Sequence, residues 1–172
     1  MNQSQLPLDV MDFNILRLLQ GDATISNAEL ARQVKVSPSA CWRRLQRMRK
    51  AGVIRRHVTL LAAERIGLAV TAFVDVTLEK RTELVDRQFR DAIRGCSEVL
   101  ACFFVAGEAD YMLRVVARDL PSLSEFLTQI LMRLPGVSRI KTSVTLEEIK
   151  NTTELPLDKA TDADDQTRAN QG

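Results

Sequence analysis

Residues 37 to 52, Ser37-Pro38-Ser39-Ala40-Cys41-Trp42-Arg43-Arg44-Leu45-Gln46-Arg47-Met48-Arg49-Lys50-Ala51-Gly52, specify a helix with a start, a stop and a one-sided charge. Ser37 can accept hydrogen bonds from the free N–H groups of the first turn. Pro38 has its φ preset for the first helical position, and Gly52 can close the far end in the left-handed conformation. At about 100° per residue, Cys41, Leu45 and Met48 share one narrow stripe, while Ser39, Arg43, Gln46, Arg47 and Lys50 project from the opposite side. Arg44 and Arg49 fall on the flanks. A merely solvated amphipathic helix has the same wheel, so the neighbouring residues decide between the two readings.

Upstream, Ser26-Asn27-Ala28-Glu29 reads as a capping box opening a short helix whose Leu30, Ala31 and Val34 are apolar. Lys35-Val36 then leads directly into Ser37. Two short helices joined by a tight turn, the second one cationic, form the helix-turn-helix layout in which the second helix enters a DNA groove. Asp9 can cap an earlier helix bearing Leu8, Met11, Ile15, Leu16 and Leu19 and ended by Gly21, and the three helices can share one small core. Residues 53 to 60 are β-prone and include Arg55, Arg56 and His57, which predicts a cationic wing. Trp42 is expected to pack against that wing or against the first helix.

Charge divides the chain in the same place. Up to residue 60 there are ten Lys and Arg against four Asp and Glu; beyond it there are fourteen against eighteen. Basic charge therefore gathers where phosphates would be neutralised, and the acidic remainder is unsuited to that partner.

From residue 69 the period changes to two. Val70, Ala72, Val74, Val76 and Leu78 alternate with Thr71, Phe73, Asp75 and Thr77 as in a strand with one buried face. A helix capped by Thr82 follows, with Val85, Phe89, Ala92 and Ile93 as its stripe and Gly95 as its stop. Residues 99 to 106 and 111 to 117 read as a hairpin around Gly107-Glu108-Ala109-Asp110. One further helix carries Leu123, Phe126, Leu127, Ile130 and Leu134, and Ile140, Thr142, Val144 and Leu146 alternate again. The order is βαββαβ, a ferredoxin-like sheet with two helices on one face, so the fold class is α+β. Its other face, with Phe73, is apolar enough to predict pairing with a second copy.

Enzyme chemistry lacks parts. His57 is the only histidine, the seven glycines are scattered singly, and no nucleophile elbow, phosphate loop or dinucleotide fingerprint is present. Cys41, Cys96 and Cys102 have no paired spacing, so they read as small core residues rather than metal ligands or a disulfide framework. No apolar run is long enough for a membrane span and no signal segment is evident, so a cytoplasmic protein with no membrane partner is expected. Residues 1 to 60 are expected to form the DNA-binding domain, 61 to 68 a linker, 69 to 157 the second domain, and 158 to 172 a disordered acidic tail, with order fading from Asn151.

Taken together, Leu8-Asp9, Asn14-Ile15-Leu16, residues 25 to 31, Val36-Ser37-Pro38 with Cys41 and Arg44, Gly52-Val53-Ile54, Gly107-Glu108-Ala109-Asp110-Tyr111, Leu134-Pro135-Gly136-Val137 and residues 142 to 148 resemble the Lrp/AsnC (feast/famine) transcriptional regulators over about residues 8 to 157. The resemblance implies a winged helix-turn-helix joined to a ferredoxin-like effector (RAM) domain that dimerises through its sheet, with dimers assembling into tetramers or octamers. It implies double-stranded DNA as partner and an amino acid as effector, bound in clefts between dimers, with no metal or other cofactor. DNA contacts are expected from Ser37, Ser39, Arg43, Arg44, Gln46, Arg47, Lys50, Arg55 and Arg56. Effector contacts are expected from Gly107, Asp110, Tyr111, Thr142, Ser143 and Thr145. Ala109 stands where the family often has an aromatic residue. Two other readings are carried alongside: an effector-independent protein that compacts DNA, and a small ferredoxin-like enzyme.

Overall fold

The computed structural model describes residues 6–79 and 82–157. They divide into two compact units, residues 6–59 together with 150–157, and residues within 60–149.

The first unit is three helices, α1 (Val10–Gly21), α2 (Asn27–Gln33) and α3 (Pro38–Lys50). Asp9 caps α1 in a reciprocal box with Asp12. Ser26 caps α2 through its hydroxyl, but Glu29 does not return the bond. The Glu29 carboxylate instead accepts from Arg32 Nε and Nη2 at 2.9 and 2.6 Å and from Gln33 Nε2 at 2.8 Å. Side-chain donors on the same helix outbid the backbone N–H of Ser26. The tight turn between α2 and α3 is made by Lys35 at φ 58°, the left-handed region, which lets Val36 N–H donate to Ala31 O.

Cys41, Leu45 and Met48 form the buried stripe of α3 and meet Ile15, Leu30, Ala31 and Val34 in one core. Burying each large side chain there contributes ~1.5–3 kcal/mol. Gly52 takes φ +74° just past the end of α3. No strand forms at the expected wing in the single chain: residues 55 to 62 are exposed and carry no regular structure. A β-prone run needs a second run to pair with, and the first unit supplies none among its described residues.

Order continues past Asn151, contrary to expectation. Leu155 N–H donates to Gln20 Oε1 at 2.8 Å, and Gln20 Nε2 donates to Leu155 O at 3.2 Å. One carboxamide thus satisfies both backbone groups of Leu155 and fastens residues 150 to 157 to α1, so this segment packs with the first unit. The acidic tail expected at residues 158 to 172 lies outside the described residues.

The second unit is the βαββαβ sheet. Strands β1 (Val70–Leu78), β2 (Val99–Phe104), β3 (Tyr111–Ala117) and β4 (Val137–Val144) lie in the order β2-β3-β1-β4, all neighbours antiparallel. Helices α4 (Glu83–Ile93) and α5 (Leu120–Glu125) supply Phe89, Ile93 and Leu123 to a core against Ala72, Val74, Val76, Leu113 and Val115.

The second helix is not the single α-helix that the sequence suggests. After α5 comes a π turn, Phe126–Ile130, and then a 3-10 turn, Leu131–Arg133. The wider turn sets the helical phase back by about one residue, so Leu131 is buried in place of the expected Ile130, which is exposed. Gly136 follows at φ +76°, where an added Cβ would overlap Val85 Cγ1 of α4.

Candidate nucleic-acid interface and effector turn

The exposed side of α3 is cationic and largely open. Ser39, Arg43 and Lys50 are exposed, Gln46 is half-buried, and Arg55 and Arg56 are exposed beyond the helix. Ser37 serves the helix itself: its Oγ accepts from Ala40 N–H and lies 3.2 Å from Ser39 Oγ. Trp42 is half exposed rather than packed inward, and Arg49 sits over its ring at 6.0 Å.

Two arginines expected to face DNA are held elsewhere. Arg44 Nη1 donates to Asp9 Oδ2 at 2.6 Å and to Asp12 Oδ1 at 2.9 Å, and Arg47 Nη2 donates to Asp12 Oδ2. Asp12 is fully buried. Burial opposes ionisation of Asp9, but the Asp12 N–H and the Arg44 guanidinium outweigh it and lower its pKa. The same pairing raises the pKa of Arg44. Sequence reasoning missed Asp12, because an acid beside an apolar stripe reads as solvent-facing until its partners, more than thirty residues away, are known.

In the second unit the turn before β3 is built around Asp110, whose carboxylate is buried. Leu78 N–H donates to Asp110 Oδ2 at 2.7 Å, Asp110 N–H donates to Val76 O, and Val105 N–H donates to Asp110 O. The carboxylate expected to face an effector turns inward in the single chain, where it closes the end of β1. Tyr111 also points inward, its hydroxyl donating to Asp86 Oδ1 and accepting from Arg90 Nε at 2.9 Å, with its ring 4.7 Å from Phe89. Burial and the adjacent Asp86 raise the Tyr111 pKa. Gly107 and Glu108 remain exposed.

Of the residues expected on the last strand, Thr145 lies toward the other end of the sheet and Thr142 and Ser143 near its middle. Thr145 N–H donates to Thr71 O at 2.9 Å, and Thr142 pairs with Val74. From Thr71 to Val76, where Asp110 is bonded, is about 16 Å at ~3.3 Å per residue. Alternation also puts Thr142 beside Val74 on the helix-covered face and Ser143 beside Phe73 on the open face. One chain therefore does not gather these six residues into a single site. Cys41 and half-buried Cys96 belong to or border the cores as expected, but Cys102 is exposed on β2, an edge strand.

Residues 71–155 match the family of the Lrp/AsnC ligand binding domain, and residues 8–55 match that of the winged helix-turn-helix DNA-binding domain. The chain is 35% identical over 152 residues to the transcriptional regulator AzlB of Bacillus subtilis, covering 88% of this chain and 97% of that one. It is 36% identical to the leucine-responsive regulatory protein of Escherichia coli K12, covering 86% and 90%. This chain belongs to the Lrp/AsnC family.

Solved structures of transcriptional regulators agree. A transcriptional regulator of Neisseria meningitidis in complex with L-Met superposes with a TM-score of 0.85 at 36% identity, covering 90% of this chain and 99% of that one. An AsnC family regulator of Agrobacterium tumefaciens gives 0.83, also at 36% identity, covering 88% and 99%. As an Lrp/AsnC member this chain is a DNA-binding transcriptional regulator and not an enzyme. Among the described residues no helix is long and apolar enough to cross a membrane.

Proposed function

We propose that this regulator reads double-stranded DNA with Ser39, Arg43, Gln46 and Lys50 of α3, with Arg55 and Arg56 beyond the helix reaching phosphates. Its second domain takes a free amino acid as effector and controls genes of amino-acid metabolism or transport in the cytoplasm. The observation that carries the DNA reading is the open cationic side of α3 opposite the buried Cys41, Leu45 and Met48. The amino-acid reading rests on the similarity to the Neisseria regulator in complex with L-Met and on the chemistry left open near the sheet. Gly107 offers an exposed backbone, and the Thr145 hydroxyl is buried with no hydrogen-bond partner among the described residues. Asp110 and Tyr111 serve by shaping the turn.

The distance of the turn from Thr145, and the placing of Thr142 and Ser143 on opposite faces, support an effector site assembled from more than one copy. The apolar side of the sheet supports the same assembly. Phe73, Phe103 and Met112 share its open face and are exposed in the single chain. We infer a dimer through this face, with dimers joining further. Calorimetry of the full chain with each proteinogenic amino acid tests the effector reading. Heat with one or a few related amino acids is expected. No heat with any of them would favour a protein that compacts DNA without sensing.

A further inference from the structure

We propose that Asp12 is the positioning residue for DNA reading and that Arg44 and Arg47 act through it rather than on DNA. This deepens the DNA-binding reading above and rests on it. Asp12 is 0% exposed and stands in the first turn of α1, where it also closes the capping box with Asp9. Each of its oxygens takes a different arginine of α3: Oδ1 accepts from Arg44 and Oδ2 from Arg47. Asp9 takes the same Nη1 of Arg44 at 2.6 Å.

An apolar stripe alone specifies which side of α3 faces inward but tolerates small rotations and slides, because dispersion contacts are non-directional. Two guanidinium bonds to one buried carboxylate, from residues three apart on α3, fix both. They are directional, and losing both would leave a buried charge unneutralised. With the helix locked this way, Ser39, Arg43, Gln46 and Lys50 are delivered at one angle to a groove. The acids also mask cationic charge on the flank of α3. Arg44 and Arg47 add nothing to the phosphate field while Asp9 and Asp12 hold them, so charge is concentrated on the residues that read.

The test uses the full chain and a duplex motif selected by it from a random-sequence pool, compared with a scrambled duplex over a salt series. Lys50→Ala is expected to flatten the slope of log affinity against log salt by about 0.9, the value of one lost phosphate contact. Arg47→Ala is expected to weaken the selected duplex about tenfold or more with the parent slope kept, and to relax base preference across the whole motif rather than at one base pair. Asp12→Asn is expected to cut discrimination between selected and scrambled duplex about tenfold. It should also steepen the slope on scrambled DNA as released guanidiniums find phosphates.

An Arg47→Ala slope as flat as that of Lys50→Ala, or a loss confined to one base pair, overturns the proposal. So does undiminished discrimination in Asp12→Asn. Arg47 is partly exposed and its loss leaves Asp12 paired with Arg44, so Arg47→Ala decides the matter even if Asp12→Asn fails to fold. A parent chain that selects no motif overturns the DNA reading as well, and is distinguished from the other failures by the parent measurement alone.

Discussion

Gly136 shows how narrowly a single position can be constrained. Its φ of +76° disfavours any L side chain, and the space where a Cβ would go is filled by Val85 of α4. Gly136→Ala should therefore cost about 1 to 3 kcal/mol, read as a lower denaturant midpoint; an unchanged midpoint would mean that the turn relaxes freely. Lys35 is the opposite case, a non-glycine residue in the left-handed region. Lys35→Val should destabilise the first unit by about 1 to 2 kcal/mol while Lys35→Gly does not, and equal effects would remove backbone conformation as the cause. Caps and stripes at this scale were legible because each depends on residues within one turn: Asp9, Ser26, Ser37 and Thr82 all cap where they stand in the sequence. The roles of Asp12, Asp110 and Tyr111 were not, because each is defined by a partner 21 to 35 residues away.

Whole elements were legible where one periodicity ran from cap to stop, as in α3, α4 and β1. They failed where a partner or a change of helical pitch was needed. The π turn swaps Ile130 for Leu131 at the core, a shift that a 3.6-residue wheel cannot express. The wing lacks a pairing strand, and the segment of residues 150 to 157 is ordered by side-chain-to-backbone bonds that leave no hydrophobic period.

Gln20→Ala should speed hydrogen exchange at Leu155 N–H while the three helices keep their stability; unchanged exchange would show that the segment is held by other contacts. Arg32, then Gln33, hold the Glu29 carboxyl down from 4.5 to about 2. The folded value is below the unfolded one, so this stabilising contribution to α2 is complete above pH 4.5 and is lost as pH falls through about 2. Thermal melts over that range should show the first unit weakening with acid, and the loss should be smaller in Arg32→Ala. An acid response identical in the two proteins would assign it to other groups.

At the scale of the whole molecule, the same chain carries a basic three-helix unit and an apolar-faced sheet whose effector-type residues do not meet within one copy. The α+β order, the domain character and the open sheet face were readable from period and charge. The distance of Thr145 from the turn of Gly107, Asp110 and Tyr111, and the division of Thr142 and Ser143 between two faces, were not, since they depend on the register of β1 with its neighbours. Phe73→Asp, at the centre of the open face, should leave the fold intact and shift the protein toward monomers in light scattering. If amino-acid binding needs more than one copy, that variant should also lose its heat with the effector. A variant that stays multimeric would place the interface elsewhere.

The claim beneath all of this is that the outward side of α3 selects DNA. Capture of genomic fragments by the full chain, beside a variant carrying Arg43→Ala and Lys50→Ala, tests it most directly. The account predicts a discrete set of fragments retained by the parent over random duplex and lost by the variant. Retention of the same set by both, or of no set by the parent at any ionic strength, would contradict it.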